Sequence, residues 1–274
     1  MKSAIFTTII ILIILLFNFP RKQVKHKFLL AGHSYGHPLE KTLGLFEPFN
    51  DYLKNSKQDF VVLLGDFVRS SNLISFNAVK KDIKQRGLNA YFVPGNHDLD
   101  NEILYKEEIG ETFYSFNIKG DNFIVLDGTK DAWNIKGEQL QLLKKVLSES
   151  TGNVFILVHQ VLWWDSNNKY RNLVLNSKAH RSPTINFWNE VIPLLKSYNG
   201  DIFICAGDIG ASKVITNPFY DKFDNITLLA TGMGARYRDN CLEVTVFEDN
   251  DVDIKVVSLI EGLNFDDIED YKLE

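Results

Sequence analysis

Cysteine is scarce in this sequence, which has only two among 274 residues. Cys205 lies in the apolar run "DIFICAG" and Cys241 in "NCLEVTVF", and neither belongs to a CxxC pair. We therefore expect two buried free thiols, because a disulfide framework or a structural zinc site needs cysteines at closer spacing. The redox compartment stays open.

Internal repeats, low-complexity segments and an interdomain linker are also missing. With 45% hydrophobic and 12% aromatic residues, the chain can fill one large α/β core, so disorder is excluded for most of its length. We expect one domain at 28–262, followed by an acidic tail at 263–274.

A net positive charge is missing from most of the chain. The formal net charge is −5, and five of the 30 Lys and Arg residues lie within the first 27, which leaves 25 − 35 = −10 for the remainder. Phosphate backbones bind basic surfaces. Nucleic acid is therefore not expected as a partner, and a membrane-tethered nuclease is disfavoured.

The N-terminus carries an uncharged stretch, "AIFTTIIILIILLFNF", at residues 4–19. It predicts a membrane segment over 1–20. No small-x-small site follows it, which favours an uncleaved anchor over a cleaved signal. The basic linker 21–27 is expected to meet lipid headgroups. The positive-inside rule points to a cytoplasmic C-terminal domain, but single anchors also face the other way and the side stays open.

β-branched and aromatic runs alternate with helical stretches after the anchor, which predicts βαβ units. Leucine and valine at three- and four-residue spacing predict a helix at 138–147, and 184–198 gives a similar one. Hairpins are expected at 113–127 and 240–259, so the sheets should be mixed. The predicted strands are "KFLLA" (27–31), "FVVLL" (60–64), "AYFV" (90–93), "VFILV" (154–158) and "DIFIC" (201–205).

Polar residues follow these strands directly, and in an open α/β sheet such strand ends converge on one crevice. Glycine lets the backbone turn so that the next side chain projects into the crevice. Carboxylates, an amide oxygen and imidazoles are the groups offered, and they suit zinc, manganese or iron(II). They lie in "GDFVR" (65–69), "PGNHD" (94–98), His159 and "GD" (207–208).

"GDFVR" and "PGNHD", some thirty residues apart, resemble motifs II and III of the calcineurin-like metallophosphoesterases. The resemblance spans residues 28 to about 258. It implies an α/β fold, the four-layer α/β/β/α sandwich with two facing mixed β-sheets, and hydrolysis of a phosphoester at a pair of metal ions.

The resemblance also implies roles for individual residues. Asp66 would bridge the two metals, while Asn96 and His159 would bind the second one. His97 would protonate or stabilise the leaving group, and Asp98 would orient His97.

Two family motifs are altered in this chain. His33 fits motif I, but Ala31 stands where the family has aspartate, and in motif V Asp208 and Gly210 replace two histidines. The first metal thus loses two of its four ligands. The second keeps a full set, which implies one strong site, and its three oxygens favour manganese, magnesium or iron(II) over zinc. Asp208 could instead cap a helix beginning near Ala211.

The remaining candidates concern proton transfer and substrate. His33 is a candidate base or phosphate ligand, and His37 could complete a weak first site or contact substrate. Arg69 and Arg181 are candidate phosphate-binding cations, although Arg69 could simply pair with a carboxylate. Trp163 could stack on a sugar or aryl group, but tryptophan is more often a core or wall residue.

Two functions remain open. The first is a membrane-anchored phosphoesterase acting on a small-molecule, lipid or glycan phosphoester, and the retained His97-Asp98 pair favours it. The second is a non-catalytic relative that binds a phosphorylated or glycan ligand, which the two lost ligands favour.

Overall fold

Two β-sheets packed face to face form the centre of the protein. The computed structural model describes residues 22–35 and 43–273. In that part of the chain the strands are β1 Val24–Ala31, β2 Phe60–Leu64, β3 Asn89–Val93, β4 Tyr114–Ile118, β5 Asp121–Val125, β6 Val154–Val158, β7 Ile202–Ala206, β8 Phe219–Phe223, β9 Ile226–Ala230, β10 Asn240–Phe247 and β11 Val252–Ser258.

Both sheets combine parallel and antiparallel pairs. The first has the strand order β11-β10-β1-β2-β3, and the second has the order β4-β5-β6-β7-β9-β8. Strands β1, β2 and β3 are parallel, as are β5, β6, β7 and β9, whereas the outer hairpin strands pair antiparallel. The carboxyl ends of the parallel strands therefore collect at one edge of each sheet.

Helices cover the outer faces, which completes the four-layer α/β/β/α arrangement expected from the resemblance. Helices α1 to α3 pack on the first sheet and α4 on the second. Local sequence sets the ends of α2, where the Asn72 side chain accepts from the Ser75 backbone N–H at 2.9 Å and Gly87 adopts a left-handed φ of 66°. The helices are α1 Glu47–Asn55, α2 Leu73–Arg86, α3 Glu102–Glu108, α4 Gly137–Glu149 and α5 Ile192–Lys196.

Phenylalanine rings fill the space between the sheets. Phe116, Phe123, Phe155 and Phe203 form a row across the second sheet, with neighbouring ring centroids 4.8–4.9 Å apart. Phe28 of the first sheet meets Phe155 edge-on at 5.2 Å. Burying each such ring contributes about 1.5–3 kcal/mol, so this row is a main source of the attraction between the sheets.

The five predicted strands, both hairpins and the helix at 138–147 are confirmed. The helix predicted at 184–198 is shorter, since it begins with a π-helical turn, Phe187–Val191, before α5. The β8–β9 hairpin was not predicted. Its signal is the Asp224-Asn225 turn between two apolar runs, with Asp224 at a φ of 51°.

Strand β1 begins earlier than predicted, at Val24. The second half of the segment assigned to a basic linker is therefore part of the sheet, and Lys25 and His26 are buried. Both side chains are polar, so the sequence does not mark them as buried, but they share a buried acidic partner, Asp121.

The C-terminal segment is also more structured than an acidic tail. Ile268 packs into the core between the sheets, and Lys272 forms a β-bridge to Tyr220. The buried Asp221 carboxylate holds this segment through Lys272 at 3.2 Å, and it also accepts from the Tyr170 hydroxyl at 2.6 Å. This end of the chain thus closes one side of the second sheet.

No helix among the described residues is long and apolar enough to cross a membrane. The apolar stretch at 4–19 lies outside those residues.

A buried ion cluster links the two sheets at the edge opposite the parallel-strand ends. Asp121 of β5 is fully buried, and its Oδ2 lies 2.7 Å from His26 Nε2 and 3.0 Å from Lys25 Nζ, both on β1. Its Oδ1 accepts from the Asn153 backbone N–H at 3.0 Å. Burial opposes ionisation, but these hydrogen bonds lower the pKa of Asp121 overall. The carboxylate therefore neutralises Lys25 inside the interface.

We expect the Asp121→Asn variant to lose about 3 kcal/mol of unfolding free energy, because it leaves Lys25 buried without its counter-charge. Urea denaturation measures this. Asp253→Asn, which removes a half-exposed carboxylate 3.6 Å from Lys255, is the control and should change stability by under about 0.5 kcal/mol.

The pH dependence of the Asp121→Asn effect has a defined sign. The pKa of Asp121 is lower in the folded protein than in the unfolded chain, where it is about 3.9. Ionised Asp121 therefore stabilises the fold at pH values above the unfolded pKa, and this stabilisation is lost as the pH falls through the folded pKa. The stability difference between wild type and variant should therefore shrink toward acid pH. A difference that grows toward acid pH, or a variant as stable as the control, would contradict the cluster's role.

Candidate metal centre

The two sheets approach each other closely at the carboxyl ends of their parallel strands. A Cβ on Gly207, after β7, would lie 2.0 Å from the Leu64 carbonyl oxygen at the end of β2, and one on Gly32 would lie 2.2 Å from the Thr231 carbonyl oxygen. Any larger residue at these positions would push the sheets apart. The loops after β1, β2, β6 and β7 therefore meet at one place.

Three buried side chains converge there, namely Asp66, His159 and Asp208. His159 Nε2 lies 3.3 Å from Asp66 Oδ2 and 3.7 Å from Asp208 Oδ1. One ligand atom from each residue lies within 4.8 Å of the others. These three belong to the four-residue set that the sequence assigns to the second metal.

The ring of His159 is fixed in the orientation that metal-binding histidines use. Its Nδ1–H donates to the Leu64 carbonyl at 2.8 Å, so Nε2 faces the two carboxylates. Gly65 makes this possible, because a Cβ there would lie 2.5 Å from the ring. Nε2 is buried and has no hydrogen-bond partner.

Asp208 is equally short of partners. Its Oδ2 is buried without a hydrogen bond, an arrangement that costs free energy unless a cation or donor meets it. Burial raises the pKa of Asp208 to about 7. The helix-cap alternative is wrong, since residues 207–216, all described, contain no helix. An orphaned imidazole nitrogen and an orphaned carboxylate oxygen beside Asp66 fit a divalent cation.

The charges within the cluster shift the pKa values of its members. Burial lowers the pKa of His159, but the carboxylates of Asp66 and Asp208 outweigh it and raise the value to about 10. Burial likewise opposes ionisation of Asp66, yet the charge of the neighbouring His159 ring holds the pKa of Asp66 well below its usual range. Asp66 is therefore available as an anion at neutral pH.

Asp66 itself sits in a strained turn. Its φ is 50°, in the left-handed region that side chains other than glycine disfavour. The Asp66 Oδ1 accepts from the His97 backbone N–H at 3.1 Å, which leaves Oδ2 directed at the cluster. Gly95 leaves room for the carboxylate, because a Cβ there would lie 2.3 Å from Asp66 Oδ1.

Asp98 stabilises this turn. Its fully buried carboxylate accepts four backbone hydrogen bonds, and the donors are the N–H groups of Asp66 and Gly95 at 2.8 Å, Val68 at 3.0 Å and Phe67 at 3.1 Å. Burial and the Asp66 charge raise the pKa of Asp98 to about 8, while these donors favour its ionised form.

The expectation that Asp98 orients His97 is wrong in this structure. His97 instead donates from Nδ1 to the Arg69 carbonyl at 3.0 Å, and its ring meets the edge of Tyr35 with centroids 5.5 Å apart. Both oxygens of Asp98 are already occupied by the backbone of the turn. His97 is half-buried.

His33 lies on the other side of Asp66. Its Nδ1 donates to the Met233 carbonyl at 3.0 Å, and its Nε2 lies 3.9 Å from Asp66 Oδ2. Burial lowers the pKa of His33 to about 4, so its ring is neutral at pH 7. Asp66 is thus placed between two imidazoles.

Two positions that would supply ligands to the first metal cannot do so in this chain. Gly210 has a φ of 91°, and a Cβ there would lie 2.7 Å from both the Gly232 carbonyl carbon and Asn217 Nδ2. No imidazole could fit at that backbone position. Ala31 offers no ligand atom, and His37 lies outside the described residues.

Three substrate-binding candidates differ in position. Arg69 is exposed beside His97. Arg181 is used inside the loop after β6, since its guanidinium donates to Asp165 at 2.9 Å and to the Trp164 carbonyl at 3.0 Å. Trp163 is fully buried and stacks on Phe219, so the expectation that it contacts substrate is wrong.

A small cleft of about 180 Å³ opens beside the cluster, and Asn96 and Asp208 form part of its wall. The sequence missed other lining residues, which include Thr129, Trp133, Gln160 and Ser177, whereas His180 belongs to the His180-Arg181 pair that the sequence suggests for binding phosphate. Gln160 directly follows His159, which is the one local signal available.

The backbone before Trp133 is unusual. Asp131, Ala132 and Trp133 have φ values of 48°, 52° and 72°, three left-handed residues in a row. Each costs about 1–3 kcal/mol outside glycine. Such strain persists only where neighbouring contacts enforce it, and sequence patterns do not reveal it.

The sequence matches the family model described as calcineurin-like phosphoesterase over residues 33–208, more than half of the chain. No protein of curated function matches it.

Similar solved structures include a conserved uncharacterized protein from Streptococcus pneumoniae TIGR4, described as a predicted phosphoesterase. Its TM-score is 0.41 at 10% identity, with 87% of this chain and 94% of that chain covered. Another is a double mutant of Vps29 from Entamoeba histolytica, with a TM-score of 0.35 at 11% identity, covering 85% of this chain and 98% of that one. On the family match, this chain belongs to the calcineurin-like phosphoesterase family.

Proposed function

We propose that this protein is a metal-dependent phosphoesterase with one strong metal site, which hydrolyses a phosphomonoester or phosphodiester. The observation that carries the proposal is the pair of orphaned atoms, His159 Nε2 and Asp208 Oδ2, buried beside Asp66. Asn96, on the wall of the same cleft as Asp208, is the fourth proposed ligand.

A divalent cation at these groups would polarise a phosphoryl oxygen and lower the pKa of water beside it. Two carboxylates, one amide oxygen and one imidazole favour manganese, magnesium or iron(II) over zinc.

The chain's own residues supply the proton transfers. His33 is neutral and buried, so its Nε2 can accept a proton from an attacking water. His97, whose Nδ1 is held by the Arg69 carbonyl, can deliver a proton from Nε2 to the leaving oxygen. The Arg69 guanidinium at the rim is the proposed partner of the remaining phosphate charge.

The alternative is a protein of the same fold that binds a phosphorylated or glycan ligand without hydrolysing it. Ala31 and the sterically closed Gly210 favour it, because they remove two ligands of the first metal. The two proposals differ in whether the metal-loaded protein hydrolyses a phosphoester bond, which releases orthophosphate from a monoester or a phosphomonoester from a diester.

Membrane attachment through residues 1–20 is part of the first proposal and rests on the sequence alone. If it is right, the full chain stays in the membrane fraction after an alkaline carbonate wash, while a chain lacking residues 1–20 does not.

We expect the wild-type protein to retain about one manganese or iron(II) ion per chain after removal of excess metal, measured by plasma emission spectrometry. Asp66→Asn and His159→Ala each remove one donor and should retain less than a tenth of that amount. Asp253→Asn, a half-exposed carboxylate in β11, is the control and should retain the ion. Two ions per chain would show that the first site is rebuilt, and none would favour the binding protein.

We expect Asp98→Asn to weaken metal binding about 10–100-fold although Asp98 touches no ligand group of the cluster, because the new amide cannot accept from all four backbone donors of the turn. His97→Ala should keep the metal and lower the rate of phosphate release about 100-fold. Metal titration and a phosphate assay separate the two. If Asp98→Asn keeps full metal affinity and loses only rate, Asp98 acts on His97 after all.

A further inference from the structure

We infer that the cleft beside the metal centre is a leaving-group pocket for a small, uncharged, hydroxyl-rich group, which makes the substrate a monoester of phosphate with a polyol or sugar. This inference rests on the proposed phosphoesterase function. It starts from the position of the cleft, whose wall includes Asn96 and Asp208 of the proposed metal site. A phosphoryl group held there would direct its ester substituent along the remaining wall.

Gln160 is the strongest indication of a polar ligand. The residue is 2% exposed, it lines the cleft, and its Oε1 has no hydrogen-bond partner. Gly128 provides the room for it, since a Cβ there would lie 2.1 Å from this oxygen. A buried carbonyl acceptor left open in this way is complementary to a hydroxyl donor and not to an aryl ring.

The charge of the lining excludes a second phosphate on the leaving group. None of the described residues that line the cleft is a lysine or arginine, whereas the carboxylates of Asp100 and Asp208 do line it. Asp208 is a proposed metal ligand, so the carboxylate that an anionic leaving group would meet is that of Asp100, and no lysine or arginine of the described lining offsets this repulsion. Further polar side chains of the lining, such as Ser177 and His180, offer hydrogen-bond donors and acceptors. Ser177 Oγ already accepts from the Ala179 N–H at 3.0 Å, which leaves its hydroxyl hydrogen free to donate.

The size of the cleft sets an upper limit. About 180 Å³ is smaller than the roughly 300–1,000 Å³ of pockets that hold drug-sized ligands. A sugar ring or a shorter polyol is the appropriate scale, and the buried indole of Trp133 gives it an apolar wall.

This wall is held in place before any ligand binds. The Ser182 backbone N–H donates to the Ala132 carbonyl at 3.1 Å, which ties the loop after β6 to the left-handed turn before Trp133. Asn186 and Asn134 add a second tie, with the Asn186 N–H donating to Asn134 Oδ1 at 3.0 Å. A preformed pocket of this kind discriminates by its hydrogen bonds.

The test compares phosphate release by the manganese-loaded full chain from glucose 6-phosphate, p-nitrophenyl phosphate and fructose 1,6-bisphosphate. We expect kcat/KM to be at least about tenfold higher for the sugar monophosphate than for either of the others. Gln160→Leu should lower the ratio of the sugar monophosphate value to the aryl value about tenfold. Gln141→Leu, the same change at an exposed position of α4, is the matched control and should keep the ratio. Ser177→Ala, with an expected fall of about threefold, serves if Gln160→Leu does not fold.

The outcomes separate the two proposals. Equal or faster turnover of the aryl phosphate or the bisphosphate would overturn the leaving-group inference and leave the phosphoesterase standing. If no compound is hydrolysed while manganese is retained, the proposed function fails. The pocket is then tested by saturation-transfer NMR with unphosphorylated glucose. Transfer that Gln160→Leu abolishes and Gln141→Leu preserves would support a polyol pocket, and its absence in the wild type would overturn it.

Discussion

The site depends on the hydrogen bonds that the Asp98 carboxylate accepts from the backbone. It collects four backbone N–H groups from the turns that follow β2 and β3. Those bonds hold Asp66 at a positive φ that its side chain would otherwise avoid. Because the Asp66 carboxylate lies near both His159 and His33, the conformation of Asp66 sets its distance from both imidazoles. One buried acid thus sets the geometry of the others.

Glycines at the strand ends provide the space that these side chains occupy. Gly65 leaves room for the His159 ring and Gly95 for the Asp66 carboxylate, while Gly207 lets β7 approach β2. In the sequence, each of these three glycines directly precedes a polar residue. Their function is steric, and it explains why polar side chains from two different sheets can share one small volume.

The sequence predicts the structure best where a local pattern has a single physical cause. The alternation of apolar runs located β2, β6 and β7, and the strand ends located Asp66 and His159, because parallel strands must present their carboxyl ends together. The sequence does not predict the features that are determined by long-range contacts. The buried partner of Lys25, the actual hydrogen-bond partners of Asp98, and the left-handed turn before Trp133 all depend on residues distant in sequence.

The two altered family motifs have different structural consequences. Ala31 is buried at the end of β1 and only lacks a ligand atom, whereas Gly210 occupies a backbone conformation in which any side chain would meet the Gly232 carbonyl. Restoring the first motif would require one substitution, but restoring the second would require rebuilding the loop after β7. Asp208, in that same loop, still faces His159. The loop after β7 therefore keeps one proposed ligand while excluding the other, so the donors around His159 are retained although the first site has lost two of its own.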